Sequence, residues 1–405
     1  MSLSLLVASS DEQFREGVRD NLPNQPNARI LAEFPEVALN LYIRVLQELE
    51  RHPDAALLVD LSASPEESMK VLEKVRQAVP DLYIIAADYS ESGETVIAAV
   101  RAGASDYLLL PLRRTDFRDA ITRLEKAPRK TVAGESKLGK LFTFLGAKGG
   151  VGTTCLAVNF ASVLAQRKQQ TVLLDLDAIA NDVCMQLGAT PQYTLMEVGE
   201  NLSRMDQALF EGFVTRDPLG FFLVGPPDSL DQRGYFSDAM FREFSTFLVE
   251  KYDSIVIDAG RAISDDTVLG ALQASSSIFL VITQEFAAIR NAQRYLAFLM
   301  RMGFNQDQIK VVVNHYTKKP GTHQAALEQI QQTLNQSVFY GIPGTPAMLA
   351  SINKARPLVS DRQVVPEWDK TFRAFVDKAT GAKKSAAPKT DSAAAGAVGH
   401  RETRV

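Results

Sequence analysis

The sequence predicts an α/β protein built from two doubly wound parallel sheets in tandem. Three observations carry this. Short apolar runs of strand length alternate with stretches of helical periodicity, five times within residues 1–125 and again across 140–381. Several of the later runs are continuous Val/Ile/Leu, as strands buried on both faces of a parallel sheet read. Between the two stretches lies a polar segment, 126–139, that contains Pro and Gly and has the composition of a linker.

In the first domain, 1–125, the strand runs are Leu3–Ala8, Ile30–Ala32, Ala56–Asp60, Leu82–Ala87 and Tyr107–Leu110. Apolar residues at helical spacing fill the gaps over Asp11–Leu22, Glu36–Leu49, Pro65–Ala78, Gly93–Ala102 and Thr115–Leu124. In the second domain, 140–381, strands are predicted at Leu141–Leu145, Thr171–Leu176, Phe221–Val224, Ser254–Asp258, Ile278–Thr283, Lys310–Asn314 and Val338–Gly341. Helices are predicted near Thr153–Arg167, Asp238–Lys251, Ser264–Gln273, Ala287–Met302, His323–Leu334 and Thr345–Asn353. The tail, 382–405, is Ala, Ser, Lys, Pro and Gly without periodicity and reads as disordered, because it has too little apolar surface to offset its ordering entropy.

Composition bounds the function classes. A chain of 405 residues suits two domains, and 46% hydrophobic with 23% charged residues is ordinary for a globular protein. The net charge of −4 gives no global attraction to nucleic acid, so no specific nucleic-acid partner is expected. Lys318-Lys319 reads as a solvated loop pair rather than a nucleic-acid contact. Met1-Ser-Leu-Ser-Leu-Leu lacks a basic leader region and no run reaches membrane-spanning length. The expected location is the cytoplasm, including peripheral association at the inner membrane or a cell pole. Cys155 and Cys184 lie in apolar surroundings without metal-ligand spacing and read as small buried side chains. His315 and His323 have no carboxylate partner at metal spacing and read as structural. Trp368, Phe372, Phe375 and Val376 share one helical face; because the tail beyond is polar, this stripe is expected to pack on the second domain rather than to insert into a membrane.

The chemistry concentrates at Phe144–Thr154, Phe-Leu-Gly-Ala-Lys-Gly-Gly-Val-Gly-Thr-Thr. A buried strand, a glycine-rich turn and a helix N-terminus in succession make an anion site: glycines let backbone N–H groups crowd a phosphate, and the helix end adds partial positive charge. On the pattern G-x-x-x-x-G-K-[ST], Ala147 takes the first glycine's place, Gly152 the second, Thr153 the lysine's and Thr154 the Ser/Thr's, while Lys148 comes early. Asp175 and Asp177 close one apolar run, Asp258 closes another and Asn314 a third, and a doubly wound sheet gathers strand ends into one pocket.

Lys148-Gly149-Gly150-Val151-Gly152 resembles the deviant phosphate loop of the MinD/ParA ATPases. The resemblance implies a phosphate loop of Gly149, Gly150, Val151, Gly152, Thr153 and Thr154, ATP and Mg2+ as cofactors, and a homodimer in which Lys148 reaches the partner's ATP. It implies Asp177 as the residue that positions or activates water, Thr154, Asp175 and Asp258 near Mg2+, and Asn314 and Pro343 near the adenine. Residues 1–125 resemble a response-regulator receiver domain, with Asp60 at the phosphoacceptor position and Asp11 and Glu12 as its acidic pair. The lysine that family places before its proline is Leu110 here, and its Ser/Thr is Asp88, which favours a docking or dimerisation module over a phosphorylation switch. The receiver-like leader, Thr153 and the segment Asp175–Asp182 together resemble the CpaE/TadZ ATPases of tight-adherence (Flp) pili, which implies partners in the pilus secretion machinery. Thr153 removes an ammonium from the β/γ-phosphates, so slow hydrolysis is expected, with ATP acting mainly as a dimerisation ligand. A non-catalytic scaffold and a ParA-like DNA-partitioning ATPase are the competing readings.

Overall fold

The computed structural model describes residues 3–25, 27–35, 37, 41–127, 138–177, 180–226, 236–321, 324–360 and 365–381. Most of the expected linker, the tail from 382, and the first positions of two predicted helices, Glu36 and His323, lie outside these residues. The chain begins β1 (Leu3–Ala8), α1 (Glu12–Asn21), β2 (Ala28–Phe34), α2 (Leu41–Arg51), β3 (Ala56–Asp60), α3 (Pro65–Ala78), β4 (Ile84–Asp88), α4 (Gly93–Ala102), β5 (Asp106–Leu109) and α5 (Arg114–Lys126). Its sheet has the order β2-β1-β3-β4-β5, with every pairing parallel.

The second unit runs β6 (Lys140–Gly146), α6 (Thr153–Gln166), β7 (Thr171–Asp175), α7 (Asp182–Leu187), α8 (Leu195–Glu200), α9 (Gln207–Phe213), β8 (Thr215–Arg216), β9 (Phe222–Val224), α10 (Asp238–Lys251), β10 (Ser254–Asp258) and α11 (Asp266–Ala274). It continues through β11 (Ser277–Ile282), α12 (Phe286–Arg301), β12 (Ile309–Tyr316), α13 (Leu327–Leu334), β13 (Val338–Pro343), α14 (Ala347–Asn353) and α15 (Pro366–Thr380). The sheet order is β13-β12-β11-β6-β10-β7-β9-β8. Strand β6, which leads into the glycine loop, therefore lies inside the sheet between β11 and β10.

Helices with clear end signals follow the predicted ranges. The Ser92 hydroxyl accepts from the Glu94 N–H to start α4, and the Ser237 hydroxyl accepts from the Met240 N–H to start α10. The departures have physical causes. Strand β2 is longer than predicted because it is an edge strand, where Arg29 and Glu33 interrupt the apolar run without disturbing the backbone pairing. The described part of helix α2 is Leu41–Arg51, and the predicted start at Glu36 lies outside the described residues. The second sheet is not wholly parallel, since the two-residue edge strand β8 pairs antiparallel to β9. Helices α7, α8 and α9 have six or seven residues, too few for periodicity to register.

The two units are packed together. One apolar cluster runs from Leu46, Leu72 and Val75 of α2 and α3 to Phe241, Phe244 and Leu248 of α10. Glu250 accepts from the Tyr42 hydroxyl at 3.1 Å and pairs with Lys74 at 2.9 Å, and Gln47 donates to Ser276 Oγ at 3.0 Å. The predicted aromatic face of α15 is covered: Trp368, Phe372, Phe375 and Val376 are all buried. Phe375 closes an aromatic core with Phe160 of α6 and Phe279 of β11, at centroid distances of 5.7 and 5.2 Å. That face is not available to a lipid surface. No helix among the described residues is long and apolar enough to cross a membrane. A Phe375→Ala variant should lose about 3–5 kcal/mol of unfolding free energy in urea titration, with the loss centred on the second unit.

Candidate nucleotide site

The site begins with strand register. Asp258 at the end of β10 pairs with Phe144 of β6 on one side and with Asp175 of β7 on the other. Two carboxylates thus end adjacent strands beside the glycine loop. The Ala147 N–H donates to the Val281 carbonyl and the Gly146 N–H to the Gly260 carbonyl, at 3.0 and 2.7 Å, so the loop root is tied to both neighbouring strand ends. Gly152 caps α6 with φ of +87°, a conformation that favours glycine, and a Cβ there would collide with the Asn314 amide. No side chain caps α6, so the first N–H groups of the helix have no side-chain acceptor and face the loop.

Electrostatics single out the aspartate pair. Asp175 and Asp258 are each 1% exposed. Desolvation, then the Asp258 charge, pushes the Asp175 carboxyl well above its usual range. Desolvation raises the Asp258 carboxyl to about 6, and the Thr154 hydroxyl and the Gly260 N–H offset part of the rise. Asp258 Oδ2 is buried without a hydrogen-bond partner of normal geometry. A buried carboxylate oxygen left open, beside a second carboxylate and a threonine hydroxyl, fits a hydrated Mg2+ bound together with a phosphate. Among the described residues no group of three or more His, Cys, Asp or Glu is placed to hold a metal unaided. A nucleotide-borne Mg2+ needs no such group, because phosphates and water fill most of its octahedron.

The remaining predicted residues divide. Asp177 lies two residues beyond β7, its N–H donating to Asp175 Oδ1 at 2.9 Å, and its carboxylate lies against Gly260. The Asp175–Asp182 segment is described except for 178 and 179. Lys148, Gly149 and Gly150 sit on the exposed side of the loop, whereas Val151 and Thr153 are buried. Asn314 is buried, and its amide donates to the Val151 carbonyl at 2.8 Å; here it braces the phosphate loop rather than standing open to a base. Strand β12 also runs past it to Tyr316, so Asn314 does not end the strand as predicted. Pro343 ends the outer strand β13, opposite Tyr316. Cys184 is buried, while Cys155 is only half-buried, and burial pushes its thiol up to about 11.

Sequence reasoning missed three contributors. Glu285, the residue before α12, pairs with Lys148 at 2.6 Å. Asn291 of α12 donates to the Ala147 carbonyl at 3.1 Å. Arg261 follows Gly260 and brings its guanidinium to Gly149. All three lie more than a hundred residues from the loop, and none has a local motif.

In the N-terminal sheet, Asp60 is buried and accepts from the Ser9 and Ser62 hydroxyls at 2.6 Å each. The Asp11 carboxylate accepts from the Gln13 N–H to cap α1, and Glu12 is paired with Arg15 and Arg19. His315 is exposed and His323 lies outside the described residues.

Comparison with known proteins decides the family. A sequence model described as CbiA, the CobQ/CobB/MinD/ParA nucleotide binding domain, matches residues 142–358. The chain belongs to this family. The MinD/ParA-type domain is 26% identical over 231 residues to a putative septum site-determining protein MinD of Guillardia theta, spanning 56% of this chain and 83% of that protein. It is 29% identical over 160 residues to the antiactivator FleN of Pseudomonas aeruginosa, spanning 38% and 55%. A ParA family ATPase from Chlorobium tepidum shares the fold, with a TM-score of 0.54, 21% identity, and coverage of 59% of this chain and 98% of that one.

The raised carboxyls set a pH dependence for the ligand-free protein. Asp258 keeps its proton to about pH 6 when folded but ionises near 3.8 when unfolded. Its burial therefore costs nothing below about pH 4 and costs increasingly between 4 and 6. The penalty is complete above 6, at about 3 kcal/mol for a shift of this size. Asp258→Asn should stabilise the ligand-free protein by up to that amount at pH 8 and by little at pH 4, read from urea midpoints at the two pH values.

Proposed function

We propose that this chain is an ATP-binding, weakly hydrolysing ATPase that dimerises around nucleotide and positions the secretion machinery of tight-adherence pili. The observation that carries the reading is a complete phosphate cradle in which Thr153 replaces the charged residue of the standard loop. Backbone N–H groups from Gly149 to Thr154 suffice to bind the phosphates. Thr154 and Asp258, with Asp175 alongside, would hold Mg2+ through its water shell, and Mg2+ supplies neutralisation of charge on the β- and γ-phosphates. Asp177 would orient the attacking water at the same edge. Without an ammonium at position 153, turnover falls by on the order of 10²–10³. The match of residues 142–358 to a nucleotide binding domain family supports nucleotide binding, and the Cyanothece McdA(D38A)–ATP complex, with a TM-score of 0.50 and 19% identity, shares the fold.

Lys148 is the proposed cross-subunit contact. In the single chain it is held by Glu285, with the two side chains 41% and 53% exposed. A pair that open is worth less than about 1 kcal/mol and yields readily to a nucleotide phosphate. The pilus assignment rests on the receiver-like N-terminal sheet, the Asp175–Asp182 segment and Thr153 occurring in one chain. The packed N-terminal unit supports the docking role for residues 1–125, since Asp11 and Glu12 are already committed to a helix cap and to arginines. The domain limits proposed are 1–125 and 140–381. The exposed Lys318-Lys319 pair alone favours a DNA-partitioning role.

Light scattering should show a monomer without nucleotide and a dimer with ATP and Mg2+, and Lys148→Ala should remain monomeric in both. A Lys148→Ala protein that dimerised like wild type would overturn the cross-subunit contact. Retention on double-stranded DNA at low salt should vanish by about 0.2 M salt; retention beyond that would favour partitioning instead.

A further inference from the structure

We propose that Arg261 is the phosphate-facing cation of this site and takes over, from the turn after β10, the charge that is missing at position 153. The inference rests on the nucleotide reading above and adds a residue to it. Thr153 is buried and its hydroxyl points back at Gly146, so it presents no donor charge to a phosphate. Lys148 is engaged by Glu285. Against these stand four carboxylates, Asp175, Asp177, Asp182 and Asp258, gathered at the ends of β7 and β10 and the start of α7. A triphosphate entering this edge meets an excess of negative charge that Mg2+ only partly offsets.

Arg261 is positioned to correct that. Its Nη1 lies 3.5 Å from where a Cβ on Gly149 would stand, which places the guanidinium directly over the glycine loop. The side chain is exposed, and no carboxylate among the described residues forms an ion pair with it. Its backbone is held from two directions. The preceding Gly260 accepts the Gly146 N–H at 2.7 Å, which ties the turn to the end of β6. The Tyr295 hydroxyl of α12 donates to the Arg261 carbonyl at 2.9 Å. Gly260 itself has φ of +54°, and a Cβ there would stand 2.5 Å from Asp177 Oδ2, so the turn passes close under the water-positioning carboxylate. A planar guanidinium with several donors can bridge two phosphate oxygens, so a single arginine outside the loop can serve where a loop lysine is absent.

The test uses the full-length chain with fluorescent ATP and ADP analogues and a phosphate-release assay, comparing wild type, Arg261→Gln, Arg261→Lys, Thr153→Lys and Thr153→Lys/Arg261→Gln. Arg261→Gln should weaken ATP binding about tenfold or more, ADP binding less, and lower turnover further. Arg261→Lys should recover part of the affinity. Thr153→Lys should restore affinity and turnover in the Arg261→Gln background, which loss through misfolding would not allow. Wild type that binds nucleotide while Arg261→Gln matches it for ATP, ADP and turnover would overturn the arginine assignment alone. Wild type that fails to bind either nucleotide would instead remove the nucleotide reading on which it rests.

Discussion

Two aspartates of like charge, buried side by side, are the constraint around which the second unit is arranged. Parallel pairing of β10 with both β6 and β7 puts Asp258 level with Asp175 and beside the glycine loop. Such a pair is unfavourable in an apolar interior, and both carboxyls respond by holding their protons more tightly. The sheet around them is densely packed. Phe142, Phe144, Phe160 and Phe279 interlock beneath the loop, with neighbouring centroids 4.8–6.3 Å apart. The open Asp258 oxygen of this pair is the feature on which the proposed Mg2+ site rests.

The loop is braced from elements distant in sequence. Asn314 holds the Val151 carbonyl, Asn291 holds the Ala147 carbonyl, and Glu285 holds the Lys148 ammonium. Glu285, just before α12, and Asn291 within it both reach the loop, so the start of one helix contacts it at two points. Arg261 enters from the turn after β10, so its guanidinium and the Lys148 ammonium both stand near the start of the loop.

The N-terminal sheet follows a different logic. Its acidic corner is already satisfied internally: Asp60 by two serine hydroxyls, Asp11 by a helix N–H, and Glu12 by two arginines. Where the second unit leaves a carboxylate oxygen open, this one leaves no such opening at Asp60. Its helices α2 and α3 instead contribute to a continuous apolar cluster with α10, reinforced at Glu250 by Tyr42 and Lys74. The contact joins the two sheets through packing as well as through the intervening chain.

Alternating apolar periodicity was enough to read the two α/β units and most strand and helix positions, because burial on a sheet or a helix face is written locally. The glycine loop, Thr153 in the lysine's place and the aspartates at the ends of apolar runs were legible for the same reason: each is a short motif within one strand-to-helix connection. Short helices, the antiparallel edge strand and the length of β2 were not, since a few residues carry no period and edge pairing is set by the neighbouring backbone. Asn314 was found, but its part in bracing the loop was not. Glu285, Asn291 and Arg261 lay beyond sequence reasoning altogether. Their contacts with the loop span more than a hundred residues of chain and exist only after strand order has brought β10, β11 and β6 together, so tertiary structure alone determined which side chains surround the phosphate cradle.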